Sequence, residues 1–172
     1  MKQSRISPIL SLLLLALATA ACDRTPVVAP PSKENDPYKE NMINANKVIE
    51  QSEKTQIESY IARRGWQMRQ MSNGAWVEEY AVGKGSVVDY EDTIDVVYTI
   101  NAINGSTIYD HQSEQFVVGR NKPTVGLDAA VQGMHHGSRA RVILPSSLGY
   151  GVVGDGDRIP SRAILIYDIE IK

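Results

Sequence analysis

From Thr93 to Ile103 apolar and polar residues alternate, and Ile94, Val96, Tyr98, Ile100 and Ala102 fall on one face of a predicted strand. The C-terminal residues repeat that period, with Ala163, Leu165, Tyr167, Ile169 and Ile171 sharing a face. Arg139 to Leu144 predicts a further strand, and Trp66 to Met71 with Trp76 to Val82 flank an Asn73-Gly74 turn as in a hairpin. A second such turn, Asn104-Gly105, leads the Thr93 strand into Ser106 to Tyr109. The spacing becomes helical in two places. Between Tyr38 and Arg64 there is no Pro or Gly, and Met42, Ala45, Ile49, Ile57, Tyr60 and Ile61 recur near helical spacing, predicting one or two helices capped by Gly65. Leu127, Ala130, Val131 and Met134 fall at i, i+3, i+4 and i+7, a single short helix that stops at Gly137. One short helix among several antiparallel strands implies an α+β domain over 66–172, a bent sheet wrapping the helix, preceded by a helical segment over 38–65.

The N-terminus follows another pattern. Lys2 and Arg5 precede an apolar run from Ile9 to Leu17 that is too short to span a bilayer and ends in small residues, as in a secretory signal peptide over 1–21. Those small residues abut Cys22 and resemble the lipobox of bacterial lipoproteins, in which that cysteine is acylated, although Thr19 stands where a branched residue is usual. This implies lipidation of Cys22, a place in the bacterial cell envelope and attachment to a membrane through lipid. Cys22 is the only cysteine, so no intrachain disulfide forms and stability must come from the core. Pro26, Pro30, Pro31 and Pro37 then punctuate a polar stretch, read as an extended tether over 22–37. With 172 residues, 42% of them hydrophobic, the chain can bury one ordinary core.

Charge narrows the function. The formal net charge is -2, and without Lys2 and Arg5 there remain 16 basic against 20 acidic residues, so nothing draws the chain to nucleic acid. Gly149, Gly151 and Gly154 match the G-x-G-x-x-G spacing of dinucleotide-binding loops, but that motif must open a helix, and Gly156 and Pro160 follow instead. His111, His135 and His136 are not spaced as a metal triad, Ser146 and Ser147 lack a nucleophile elbow, and Asp155 with Asp157 lacks the rest of a calcium loop and reads as a solvated turn. No metal or cofactor is expected.

Three stretches, taken in order, carry a resemblance. "DVVYTINAINGSTIYD", "VGLDAAVQGMHHGSRARVILP" and "LGYGVVGDGDRIPSRAILIYDIEI" are together similar to the FKBP-type peptidyl-prolyl cis-trans isomerases, over about half the chain. The resemblance implies catalytic roles for Tyr150, Asp110 and Tyr98: the Tyr150 hydroxyl donates to a substrate carbonyl and Asp110 orients groups at the pocket edge. It implies a proline pocket walled by Tyr109, Phe116, Thr124, Leu127, Ile159 and Tyr167, with the Ile159 N–H as a backbone donor. The glycine loop would then be a flap carrying Tyr150. Leu127 replaces the family's usual tryptophan, Pro123 and Thr124 its Val-Ile pair, and Tyr109 and Tyr167 its phenylalanines; one extra residue precedes Tyr109. A working but slow isomerase follows, with weakened binding of macrolide inhibitors. Its partners would be proline-containing exported polypeptides. The alternative is a non-catalytic peptide-binding chaperone or assembly module on the same fold.

Overall fold

The computed structural model describes residues 37–172. The signal segment 1–21, Cys22 and the tether lie outside the described residues, except Pro37, which opens the first helix. Among the described residues no helix is long and apolar enough to cross a membrane.

Helix α1 (Pro37–Arg64) is one continuous helix of 28 residues. It ends where Gly65 takes φ 67, with Gly65 N–H donating to Ala62 O and Trp66 N–H to Ile61 O, each at 3.3 Å. This paired closure needs a left-handed residue, which glycine supplies without strain. Ile57 and Tyr60 are buried on one face of α1 against Ile143, Ile164 and Ile166, and the Tyr60 and Trp66 rings meet edge-on at 5.5 Å.

Strands β1 (Arg69–Gln70), β2 (Trp76–Ala81), β3 (Thr93–Ala102), β4 (Thr107–Val117), β5 (Arg139–Leu144) and β6 (Leu165–Ile171) form one sheet in the order β1-β2-β5-β6-β3-β4, antiparallel throughout. Its inner face holds Val96, Ile100, Val142, Leu144, Leu165, Tyr167 and Ile169, packed on Leu127 and Val131 of helix α2 (Val125–Val131). Each fully buried aliphatic side chain of this kind contributes about 1.5–3 kcal/mol. Ile143 and Ile166 point the other way, where a one-sided sheet would carry polar residues. They form the floor on which α1 lies.

Thr124 caps α2, its side chain accepting from Leu127 N–H at 3.2 Å. Asp128, 3% exposed, accepts from the N–H groups of Gly119 and Asn121 and ties α2 to the end of β4. Gly126 lies flush with the core, since a Cβ there would collide with Leu144 and Leu148.

Strand β4 runs eight residues beyond the Tyr109 end read from the sequence. The stretch Asp110 to Gln115 is polar because β4 is an edge strand, exposed along most of that length. The β3–β4 register also shifts: Tyr98 pairs with Gln112 but Ile100 with Tyr109, and His111 sits in the resulting bulge at φ 48.

Candidate functional site

The inner face of β3 and β6 meets α2 and the C-terminal glycine loop in one cluster of aromatic and apolar side chains. Tyr98, Phe116, Leu127, Ile159 and Tyr167 are buried members, and Tyr109 and Tyr150 pack against them half-buried. The Tyr98 and Tyr167 rings stand edge-on, centroids 5.6 Å apart at 61°. Leu127 and Tyr167 are both fully buried. Thr124 joins the group through its hydroxyl, close enough to that of Tyr167 to influence its ionisation.

Each phenol is held in its protonated form. Burial first, then the hydrogen bond to Glu114, pushes Tyr98 up; its hydroxyl donates to Glu114 Oε2 at 2.8 Å. Tyr150 is raised by burial and by the carboxylates of Glu114 and Asp155. Tyr167 is raised by burial and by the neighbouring Tyr150 and Tyr98. Tyr109 is pushed up to about 12, chiefly by donating its proton to Asp155 Oδ2 at 2.6 Å. The hydroxyls can therefore donate hydrogen bonds at neutral pH but supply no base.

The loop from Leu148 to Pro160 is built around Asp155. Its Oδ1 accepts from the N–H groups of Asp157 at 2.9 Å and Ile159 at 2.8 Å, while Oδ2 holds Tyr109. Burial pushes the Asp155 carboxyl up, but these three bonds outweigh it and the group titrates below its ordinary 3.8. A depressed carboxylate stabilises the loop above the unfolded value and loses that contribution as the pH falls through the folded one. The amide resonances of Asp157 and Ile159 are therefore expected to titrate together in an NMR pH series, with a shared midpoint below 3.8. Separate midpoints would show that Asp155 does not organise the loop.

Three placements differ from the resemblance. Asp110 is not gathered into the cluster: next to the inward-facing Tyr109, its exposed carboxylate points outward, where Oδ1 accepts from Thr99 Oγ1 at 3.0 Å and lies 2.8 Å from His111 Nδ1. These contacts, His111 first and then Thr99, hold Asp110 below the usual carboxylate range. Phe116 is 6% exposed, a core residue paired with Ile94, while the rim beside Tyr98 belongs to Glu114, two positions earlier on the same strand face. The Ile159 N–H is committed to Asp155 rather than open to a ligand.

Glu114 and Asp155 are the residues that sequence reasoning missed. Glu114 sits in a polar run with no recognisable period, and only the register across the bulge shows that it faces Tyr98. Asp155 reads as a solvated turn until the long-range partner Tyr109 is seen. Among the described residues no cluster of His, Cys, Asp and Glu could hold a metal ion.

Residues 85–172 match the model of the FKBP-type peptidyl-prolyl cis-trans isomerase family. The chain is similar to peptidyl-prolyl cis-trans isomerase FKBP53 of Arabidopsis thaliana, 33% identical over 111 residues, 61% of this chain and 23% of that protein. It is also similar to FK506-binding protein 2 of Dictyostelium discoideum, 36% identical over 84 residues, 46% of this chain and 63% of that protein. The chain thus spans less than two thirds of the length of either relative. In fold it is similar to a crystal structure of a peptidyl-prolyl cis-trans isomerase from Pseudomonas syringae pv. tomato, with a TM-score of 0.59 and 24% identity, covering 73% of this chain and 92% of that one.

Proposed function

The chain belongs to the FKBP-type peptidyl-prolyl cis-trans isomerase family, and we propose that it accelerates rotation about X-Pro bonds of exported polypeptides while lipid on Cys22 tethers it to a bacterial membrane. The observation that carries the proposal is the meeting of Tyr98, Tyr150 and Tyr167 over Leu127 in a single apolar cluster.

The reaction needs no proton transfer and no nucleophile. Amide resonance sets a barrier of about 18–20 kcal/mol, and the twisted bond has lost the charge separation that water solvates. An apolar enclosure therefore favours the twisted state over the planar one. Tyr109 and Tyr150, half-buried, offer the apolar surface, with Tyr98 beside them and Leu127 and Tyr167 fully buried behind. Tyr150, whose proton no carboxylate takes, is the donor left to hold a substrate carbonyl, since Tyr98 and Tyr109 donate to Glu114 and Asp155. Uncatalysed X-Pro isomerisation takes about tens to hundreds of seconds and can limit folding, which gives such an enzyme its use on newly exported chains.

NMR exchange spectroscopy with peptides varying the residue before proline tests this on the full chain. The exchange rate is expected to rise with the protein present, Tyr150→Phe to lower kcat/KM about tenfold, and Asp110→Ala to leave it within about twofold because its carboxylate faces Thr99 and His111. Absence of any acceleration across the peptide panel would refute the proposal. Cys22→Ser is expected to move the protein from the membrane fraction to the soluble one.

A second reading has one observation in its favour. The Tyr98 hydroxyl and the Ile159 N–H are already satisfied internally, which leaves few donors and suits a module that holds peptides without turning them over. Suppression of client aggregation with no isomerase rate would select it.

A further inference from the structure

Helix α1 lies on the outer face of the sheet, away from the aromatic cluster, yet one of its side chains reaches the segment that carries Tyr150. Glu53 precedes Ile57 and Tyr60 by one and two turns on the buried stripe of α1 and is itself only 6% exposed. A carboxylate so enclosed needs strong partners, because leaving it unpaired would be severely destabilising. Both partners come from one residue 93 positions away: Ser146 N–H donates to Oε2 at 2.9 Å and Ser146 Oγ to Oε1 at 2.6 Å.

Ser146 begins the 3-10 turn Ser146–Leu148 and is buried as well. Its carbonyl oxygen accepts from Gly149 N–H at 3.2 Å and from Gly151 N–H at 2.9 Å, the two residues that bracket Tyr150. Glu53 thus grips the donors of Ser146 while Ser146 grips the backbone on either side of the tyrosine. Beyond it, Gly151 O accepts from Arg162 N–H at 2.8 Å and Tyr150 O from Gly154 N–H at 3.1 Å.

We propose that Glu53 is a positioning residue for Tyr150, acting through Ser146, so that the N-terminal helix sets the donor of the isomerase site. The proposal rests on the reading of Tyr150 as the substrate donor. It gives α1 a role in the reaction: undocking the helix frees Ser146 and lets the tyrosine wander, whereas docking fixes it. Charge-assisted bonds of this kind are short and directional, which suits them to holding a backbone in place.

The test uses the full chain. Glu53→Ala is expected to lower kcat/KM about tenfold, the scale on which displacement of a contact group acts, and to speed hydrogen exchange at the Gly149 and Gly151 amides. Glu53→Gln, whose amide can still accept from Ser146 N–H and donate to its hydroxyl, is expected to stay within about twofold of the parent. In a Tyr150→Phe background Glu53→Ala is expected to have little further effect, because two changes on one path do not add. Should Glu53→Ala fail to fold, Ser146→Ala, which removes only the hydroxyl contact, carries the same readouts. Unaltered exchange at Gly149 and Gly151, or an undiminished loss in the Tyr150→Phe background, overturns the proposal. If Tyr150→Phe alone has the parental rate, the reading of the site fails instead, and amide exchange still decides whether Glu53 holds the loop.

Discussion

Gly154→Ala is expected to lower the unfolding free energy by about 3 kcal/mol and to remove most of the proposed isomerase activity, whereas Gly156→Ala, two residues on, is expected to cost about 1 kcal/mol. Both glycines have left-handed backbones, φ 75 and φ 81, so both substitutions carry the conformational penalty. They differ in what a new Cβ meets. At Gly156 there is nothing within 4 Å; at Gly154 the atom would overlap the backbone of Ile159 and Pro160. That backbone cannot move without breaking the Asp155 N–H to Ile159 O bond at 3.3 Å and the Asp155 carboxylate bond to Ile159 N–H. Gly154 N–H also donates to Tyr150 O, so strain at this point is passed to the proposed substrate donor. Urea unfolding and kcat/KM measured on both variants check the prediction. Equal effects would mean that the close approach at Gly154 is absent in solution.

The same contacts explain why a glycine-rich stretch stands next to the most regular strand of the chain. The loop needs left-handed turns at Gly151, Gly154 and Gly156 to fold back on itself. Strand β6 behind it, paired on both sides by β3 and β5, gives the loop a fixed base and places Tyr167 beneath Tyr150.

What could be read in advance follows the reach of the interactions. Strands β3, β5 and β6 and helix α2 were legible because each has a buried face whose period is imposed by local geometry: Ile94, Val96, Tyr98 and Ile100 all prove buried, as do Leu127, Ala130 and Val131. Met134 is buried too, but α2 ends at Val131, short of the Gly137 end read from the sequence. The end of α1 was legible because Gly65 satisfies a local closure. The second half of β4 was not, since an edge strand exposed on most positions has no period to betray it. Asp110 illustrates the limit for the site. A sequence match puts it beside the pocket, but it follows the inward-facing Tyr109 and so falls on the opposite face with Thr99, and a one-residue slip in the match reverses which of the two points inward. Glu53 and Glu114 act through partners 93 and 16 residues away, so their roles depend on packing that no local pattern records.

Tyr167→Phe is expected to stabilise the protein by about 1–2 kcal/mol, an unusual sign for a change at a fully buried residue. The ring is 0% exposed and would keep its edge-on contact with Tyr98 after the substitution. Only the hydroxyl is lost. That oxygen is buried without a hydrogen bond of good geometry, although the hydroxyls of Thr124 and Tyr150 are close enough to act on its ionisation. A buried polar atom left unpaired costs roughly 1–3 kcal/mol, and removing it with no change in packing recovers that amount. Tyr98→Phe provides the opposite case, since its hydroxyl is bonded to Glu114 and its loss leaves a carboxylate oxygen short of a donor; a loss of about 1.5 kcal/mol is expected. Thermal unfolding of the two variants side by side should therefore move in opposite directions, Tyr167→Phe upward by roughly 3–6 °C. A fall in melting temperature for Tyr167→Phe would show that its hydroxyl is paired in solution, with Thr124 and Tyr150 as the residues to examine. A rise would mean that the apolar floor beneath Tyr150 carries a donor whose burial weakens the fold, and that the native chain keeps it at the site where the twisted X-Pro bond would rest.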